Sequence, residues 1–329
     1  MKKTFIIILT ITCLFSCEKT EDVKEVKIEN QEFLSMLIGL YDTNRDGILS
    51  EDEAFKIKII NIVTPLKEPL DGLENFLNLE ILEVYSSEFT TLDVSKNVKL
   101  KKLECTSNRL VSLDLSNNRE LEVLICRSGQ LTFIDLSNNP NLIKLYCDYN
   151  KLTSLDLSSC SSLESLGCGQ NLLTELNTSN NYNLNDISCI RNKLVSIDIS
   201  KNPKLKYFYC DGNNALTTLD LSNNFELEIF SCDGNKALTT LDLSNNFELL
   251  ALSVGGCISM TSLDVSTNTK LENIICSNCS GLTTLDISNN LQLKYLHCPY
   301  NPNLDTLYMK TGQTLQKLSK DAHTTIVYL

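Results

Sequence analysis

Downstream of residue 79 the apolar positions follow two rhythms at once. Over a few residues they alternate with polar ones, and each such window returns at a fixed long interval. The stretch 121–141, LEVLICRSGQLTFIDLSNNPN, shows both rhythms. Its first half is L-x-x-L-x-C-x-x-N-x-L, here Leu121, Leu124, Cys126, Gly129 and Leu131. Its second half is L-x-x-L-D-L-S-x-N, here Leu131, Ile134, Asp135, Leu136, Ser137 and Asn139. Alternation puts Leu and Cys on one side of an extended segment and the residues between them on the other. Each half therefore predicts a short strand, and neither has helical spacing.

Copies start at Leu79, Leu100, Leu121, Leu142, Leu163, Leu184 and Leu205, each 21 residues apart. Leu227, Leu249, Leu271 and Leu293 follow at intervals of 22. A period in this range with this Leu and Asn pattern marks a leucine-rich repeat solenoid. The expected fold is mainly β, with two parallel sheets on opposite sides of a flattened coil and few or no helices in the repeats. At about 4.8 Å per coil the array makes a rod roughly 50 Å long. The repeats run over 79–309, and a degenerate unit over 310–329 closes the array. Its Ile326, Val327 and Tyr328 predict a capping strand, because the last coil of a solenoid needs cover.

The turn chemistry repeats as faithfully as the core. Ser recurs from Ser95 to Ser288, with Asp two residues before it and Asn two after; Asn177 and Cys160 are the exceptions. Such Asp, Ser and Asn residues satisfy the backbone of tight turns. An acidic metal ribbon is the competing reading, and the near-identity of the copies favours the turn ladder.

The chain upstream breaks the pattern. Phe33, Leu34, Leu37, Leu40 and Tyr41 recur at helical spacing. Residues 42–53, DTNRDGILSEDE, then match D-x-[DN]-x-[DN]-G-x5-E throughout. Side-chain oxygens of Asp42, Asn44, Asp46 and Ser50, the Ile48 carbonyl and both oxygens of Glu53 would ligate Ca2+. One such EF-hand-like loop (31–54) should bind weakly, on the order of 10⁻⁴–10⁻³ M, and serve to stiffen a small helical cap. Residues 55–78 lead from the cap into the repeats.

Residues 1–16 read as an export signal, with Lys2 and Lys3 before an apolar run too short to span a bilayer. Leu14-Phe15-Ser16-Cys17 resembles a bacterial lipoprotein box. By that resemblance Cys17 is lipidated and 17–30 is a flexible tether to the membrane; an ordinary cleaved signal is the alternative.

The net charge of −12 argues against a nucleic-acid partner, which calls for a basic stripe. Fourteen Cys suggest thiol chemistry until they are placed in register. Cys105, Cys126, Cys147, Cys168, Cys189, Cys210, Cys232, Cys276 and Cys298 share one core position, with Val84 and Val254 in the gaps. They act as small hydrophobes. The C-x-x-C at Cys276–Cys279 dissolves likewise, because Cys279 and Cys257 take Asn turn positions; a disulfide between those two remains open. No nucleophile, acid–base or phosphate-binding arrangement stands out, and an enzyme is not expected. What varies from copy to copy is the outward residues beside the core Cys. Tyr146, Asp148, Tyr149, Tyr209 and Asp211, with Arg127 and Arg191, form a mixed aromatic and charged face suited to a protein or glycan ligand. An ordinary solvated sheet face is the alternative, as is a structural or self-associating envelope spacer without a ligand.

The repeat resembles the 21-residue cysteine-containing leucine-rich repeats of the internalin J type and the related repeats of Bacteroidetes surface proteins. The order of signal, calcium loop and repeats is similar to cell-surface lipoproteins of that phylum. The resemblance implies an exported, surface-exposed outer-membrane lipoprotein that contacts host, matrix or glycan. It supplies no ligand residues, and no further module follows the repeats here.

Overall fold

The protein, described from a computed structural model, is defined over residues 24–66, 69–85, 88–106 and 109–329. The expected export signal and the expected lipidation position, Cys17, lie outside the described residues. The chain folds as a leucine-rich repeat solenoid. A thirteen-stranded parallel sheet runs its length, taking one strand of three or four residues from nearly every coil. Its strands are the first-half segments, from Ile59–Ile62 through Leu103, Leu124, Leu145 and Leu166, which lie opposite one another in register, to Lys317–Lys320. Because each coil repeats the inward pattern, the Leu and Cys columns stack into one continuous core. The nine ladder Cys and the substituting Val84 and Val254 are all buried.

The second-half strands expected in every coil form only at the C-terminal end. There Thr284–Asp286, Thr306–Met309 and Thr325–Tyr328 make a three-stranded parallel sheet. In paired and unpaired coils alike the Asp side chain bonds the backbone locally. The Ser N–H donates to the Asp Oδ1 two residues earlier at 2.8–2.9 Å, as at Ser95–Asp93, Ser137–Asp135 and Ser244–Asp242. The same bond forms at Ser288–Asp286, where Asp286 belongs to a paired strand, so it does not itself prevent a ladder; like charges on facing positions oppose one. Pairing appears where one coil lacks the carboxylate. Asp286 pairs with Tyr308, and the isolated bridge of this region joins Asn177 to Asp198. The expected capping strand forms at Thr325–Tyr328, paired in parallel and in register with Thr306–Met309.

Two ladders of buried Asn close the turns. In the second half, Asn139 Nδ2 donates to the Leu115 and Asn118 carbonyls of the preceding coil, at 3.2 and 2.9 Å. In the first half, Asn171 Nδ2 donates to the Cys147 and Cys168 carbonyls, and its Oδ1 accepts from Leu152 N–H at 3.0 Å. Cys257 and Cys279 stand in this ladder as free thiols that imitate the amide: Cys257 Sγ donates to Cys232 O at 3.3 Å and Cys279 Sγ to Val254 O at 3.1 Å.

At the N-terminal end helix α1 (Gln31–Tyr41) and the short helix α2 (Glu51–Lys56) flank the 42–50 loop. Phe33 and Phe76 meet edge to face at 6.3 Å and join this cap to the first coils. Residues 24–30, expected as a flexible tether, belong to the cap. Val26 and Ile28 are buried, Asn30 caps α1 by accepting from Phe33 N–H, and Val26 N–H donates to Leu49 O at 3.0 Å. Alternating apolar residues at 26 and 28 suffice to dock the segment, which restricts any tether to residues before it.

Candidate functional site

The cap loop turns sharply between the two helices. Gly47 holds φ at 83° and Arg45 at 62°, turns that draw the side chains inward. Asp42 accepts from Arg45 N–H at 2.6 Å and from Gly47 N–H at 2.9 Å. Asn44 Oδ1 accepts from Asp46 N–H and Asp46 Oδ1 from Ile48 N–H. Leu49 is fully buried and pins the loop. Glu53 spans its two ends. One oxygen accepts from the Thr43 N–H and hydroxyl, the other from the Ser50 N–H and hydroxyl, at 2.7–3.1 Å. Burial would raise the Glu53 carboxyl, but the Ser50 and Thr43 donors outweigh it and hold it at about 2.

The donor set of carboxylate, amide, hydroxyl and carbonyl oxygens suits a hard cation such as Ca2+. Each Asp42 oxygen keeps a second lone pair. Glu53 does not, so a metal would have to displace its hydroxyl donors. Among the described residues no three His, Cys, Asp or Glu side chains already converge on a metal position. The loop offers ligands that a cation must gather.

On the long sheet the expected face divides into braces and free groups. Arg127 Nε donates to Asp148 Oδ2 at 2.9 Å, and its guanidinium lies 4.5 Å over the Tyr146 ring. Asp148 Oδ1 accepts from Gly169 N–H at 2.8 Å. Tyr146 leans across Gly167, where any Cβ would lie 2.8 Å from both its ring and Asp148. Asp148 is thus buried and spoken for. Asp211 is a brace too, accepting from the Ser231 hydroxyl and from Asp233 N–H. Both were expected to face a ligand; their partners lie 20–22 residues away, beyond the reach of local pattern.

The groups left free begin beside Asp148 and run on over the next three coils. Tyr149 and Arg191 are exposed, and their backbones are left-handed, with φ of 59° and 50°. Ser128, Gln170, Asn278 and Tyr300 share that left-handed turn, and Gly212, Gly234 and Gly256 occupy it in the coils between. Tyr209, partly buried, stands on the strand beside Ser188. Asp186 was not anticipated. It is half-covered, takes a hydrogen bond from Ser165 Oγ at 3.1 Å, and burial pushes its carboxyl up. Its position, two residues before Ser188 in a strand otherwise like its neighbours, carried no distinguishing signal.

This is a leucine-rich repeat protein. No family model and no curated protein matches it. Among solved structures, the functional domain of InlJ from Listeria monocytogenes, which includes a cysteine ladder, is 29% identical with a TM-score of 0.54, over 80% of this chain and 70% of that one. An internalin, InlF, from the same organism is 20% identical with a TM-score of 0.72, over 90% and 94%. A leucine-rich repeat protein of Leptospira interrogans is 23% identical with a TM-score of 0.69, over 77% and 70%. Among the described residues no helix is long and apolar enough to cross a membrane.

Proposed function

We propose that the protein is a surface recognition module, lipid-anchored through Cys17 in the outer membrane, whose long sheet binds a protein or glycan ligand. It has no catalytic role. The observation that carries this reading is the pair Tyr149 and Arg191. Both side chains are large and exposed at a turn position whose residue varies from coil to coil, and a mix of aromatic and guanidinium groups is what a recognition surface presents. The left-handed backbone belongs to the turn itself, which Ser128, Gln170, Asn278 and Tyr300 share. Tyr209 and Asp186 complete the patch, with Tyr146, Arg127, Asp148 and Asp211 as the frame that holds it. The acidic balance favours an uncharged or basic ligand over nucleic acid. In the cap, Asp42, Asn44, Asp46, Ile48, Ser50 and Glu53 would hold Ca2+, whose part is to brace the loop against the first coil.

The test is an array of glycans and matrix proteins probed with the native chain and with Tyr149→Gly, Arg191→Gly. These substitutions remove the side chains and relax the backbone, so folding is retained. Loss of the binding partner supports the reading. Binding by the native chain that survives both substitutions refutes the assignment of the patch.

A further inference from the structure

The side of the coil opposite the long sheet carries a second surface. Between the two leucines of each L-x-x-L-D segment stand two exposed residues, so two columns run along the rod from Thr90-Thr91 to Thr283-Thr284. They hold Thr, Ser, Val and Phe; Glu175 is the one charged residue in these columns, although the chain carries a net −12. Val111, Phe133 and Val195, on coils of the N-terminal half of the array, are each more than half exposed. The borders of this band differ. The residues just before it are Arg109, Lys151 and Lys193 on alternate coils, with Glu88 ahead of them and uncharged residues between and after them; the residues just after it include Asp114, Asp156 and Asp198. These three basic residues and three aspartates are exposed, and neither Lys151 nor Lys193 has an ion-pair partner among the described residues.

We propose that this band is a homodimer interface and that its occupant is a second copy of the chain in parallel orientation. Three features favour that occupant. Like-charged acidic rods repel except where the charge is withdrawn, and this band is such a place. A second copy has the same repeat, so its coils match these step for step. The borders then decide direction. A two-fold axis along the rod turns the band over and exchanges its edges, so the basic border of each copy meets the acidic border of the other. A two-fold axis across the rod would lay Asp against Asp and Lys against Lys. The self-complementary patch this requires is that of an isologous pair. A parallel pair keeps both long sheets facing outward and both caps at one end, which two chains tethered to one surface require.

Sedimentation velocity of the purified chain across micromolar concentrations should show a reversible dimer that weakens as salt rises. Phe133→Asp with Val195→Asp should raise its dissociation constant roughly tenfold or more. Both residues are exposed, so an unchanged melting curve shows that the fold is intact. Direction is read from Ser112→Cys and Ser196→Cys, made singly. Each should crosslink to its own counterpart under mild oxidation, because a parallel pair sets every level against itself. A strict monomer, a dimer indifferent to Phe133→Asp, or crosslinking at one level alone would overturn the proposal. None of these outcomes bears on ligand binding by the opposite sheet.

Discussion

Asn235 tests whether the solenoid is held at its turns by amides or merely by leucine. Its Nδ2 donates to Cys210 O at 3.2 Å and to Cys232 O at 2.8 Å, and its Oδ1 accepts from Asn213 N–H at 2.8 Å. It is fully buried. Asn235→Ala strands two carbonyls and one N–H where water has no easy access. A stranded buried group costs about 1–3 kcal/mol, and carbonyls with a second partner sit at the low end, so the sum is about 3 kcal/mol. For a chain of this size that lowers the melting temperature by roughly 6 °C. Asn235→Cys should cost about half as much, because the next coil already uses a thiol there: Cys257 donates to Cys232 O. The assay is thermal unfolding by circular dichroism, with hydrogen exchange at Asn213 N–H as the local readout. Coils contact only their neighbours, so the loss of protection should be centred on this one. If Asn235→Ala melts within about half a kcal/mol of the native chain, a surface-level effect, or if Cys is worse than Ala, the amide ladder does not hold the turns.

Three further outcomes follow from the same geometry. Cys147→Val should be nearly neutral, since Val84 and Val254 fill the same column, whereas Cys147→Ser buries an unmatched hydroxyl and should cost about 1–3 kcal/mol in urea unfolding. Glu53 has a carboxyl held at about 2, below its unfolded value. Its contribution to the cap is therefore complete above the unfolded value and is lost as pH falls through about 2; Glu53→Gln should flatten this acid transition, followed by near-ultraviolet circular dichroism, and should abolish any stabilisation by calcium over excess chelator. Gly281→Ala places a Cβ 2.5 Å from the Met260 carbonyl oxygen, a clash with backbone that cannot rotate away, and should destabilise by about 2 kcal/mol or more where Thr283→Ala, at a nearby exposed position, does not.

The chain alone determined whatever depends on residues close together along it. Alternation decides which residues face inward, and the 21- and 22-residue period decides that they stack, so the Leu core, the Cys column and the Asn turns were legible as copies of one unit. The cap loop was legible for the same reason, its side-chain hydrogen bonds running over five residues or fewer apart from the Glu53 brace to Thr43. What only the tertiary structure decided involves residues a full coil apart. Asp148 looks free beside Cys147, yet Gly169 and Arg127 consume it; Asp186 looks ordinary, yet burial by neighbouring coils sets it apart. The second-half strands failed in most coils because Asp carboxylates face one another from coil to coil, as Asp114, Asp135 and Asp156 do. Periodicity tells each residue which way it faces, while contact between coils decides which of the outward groups remain free to bind.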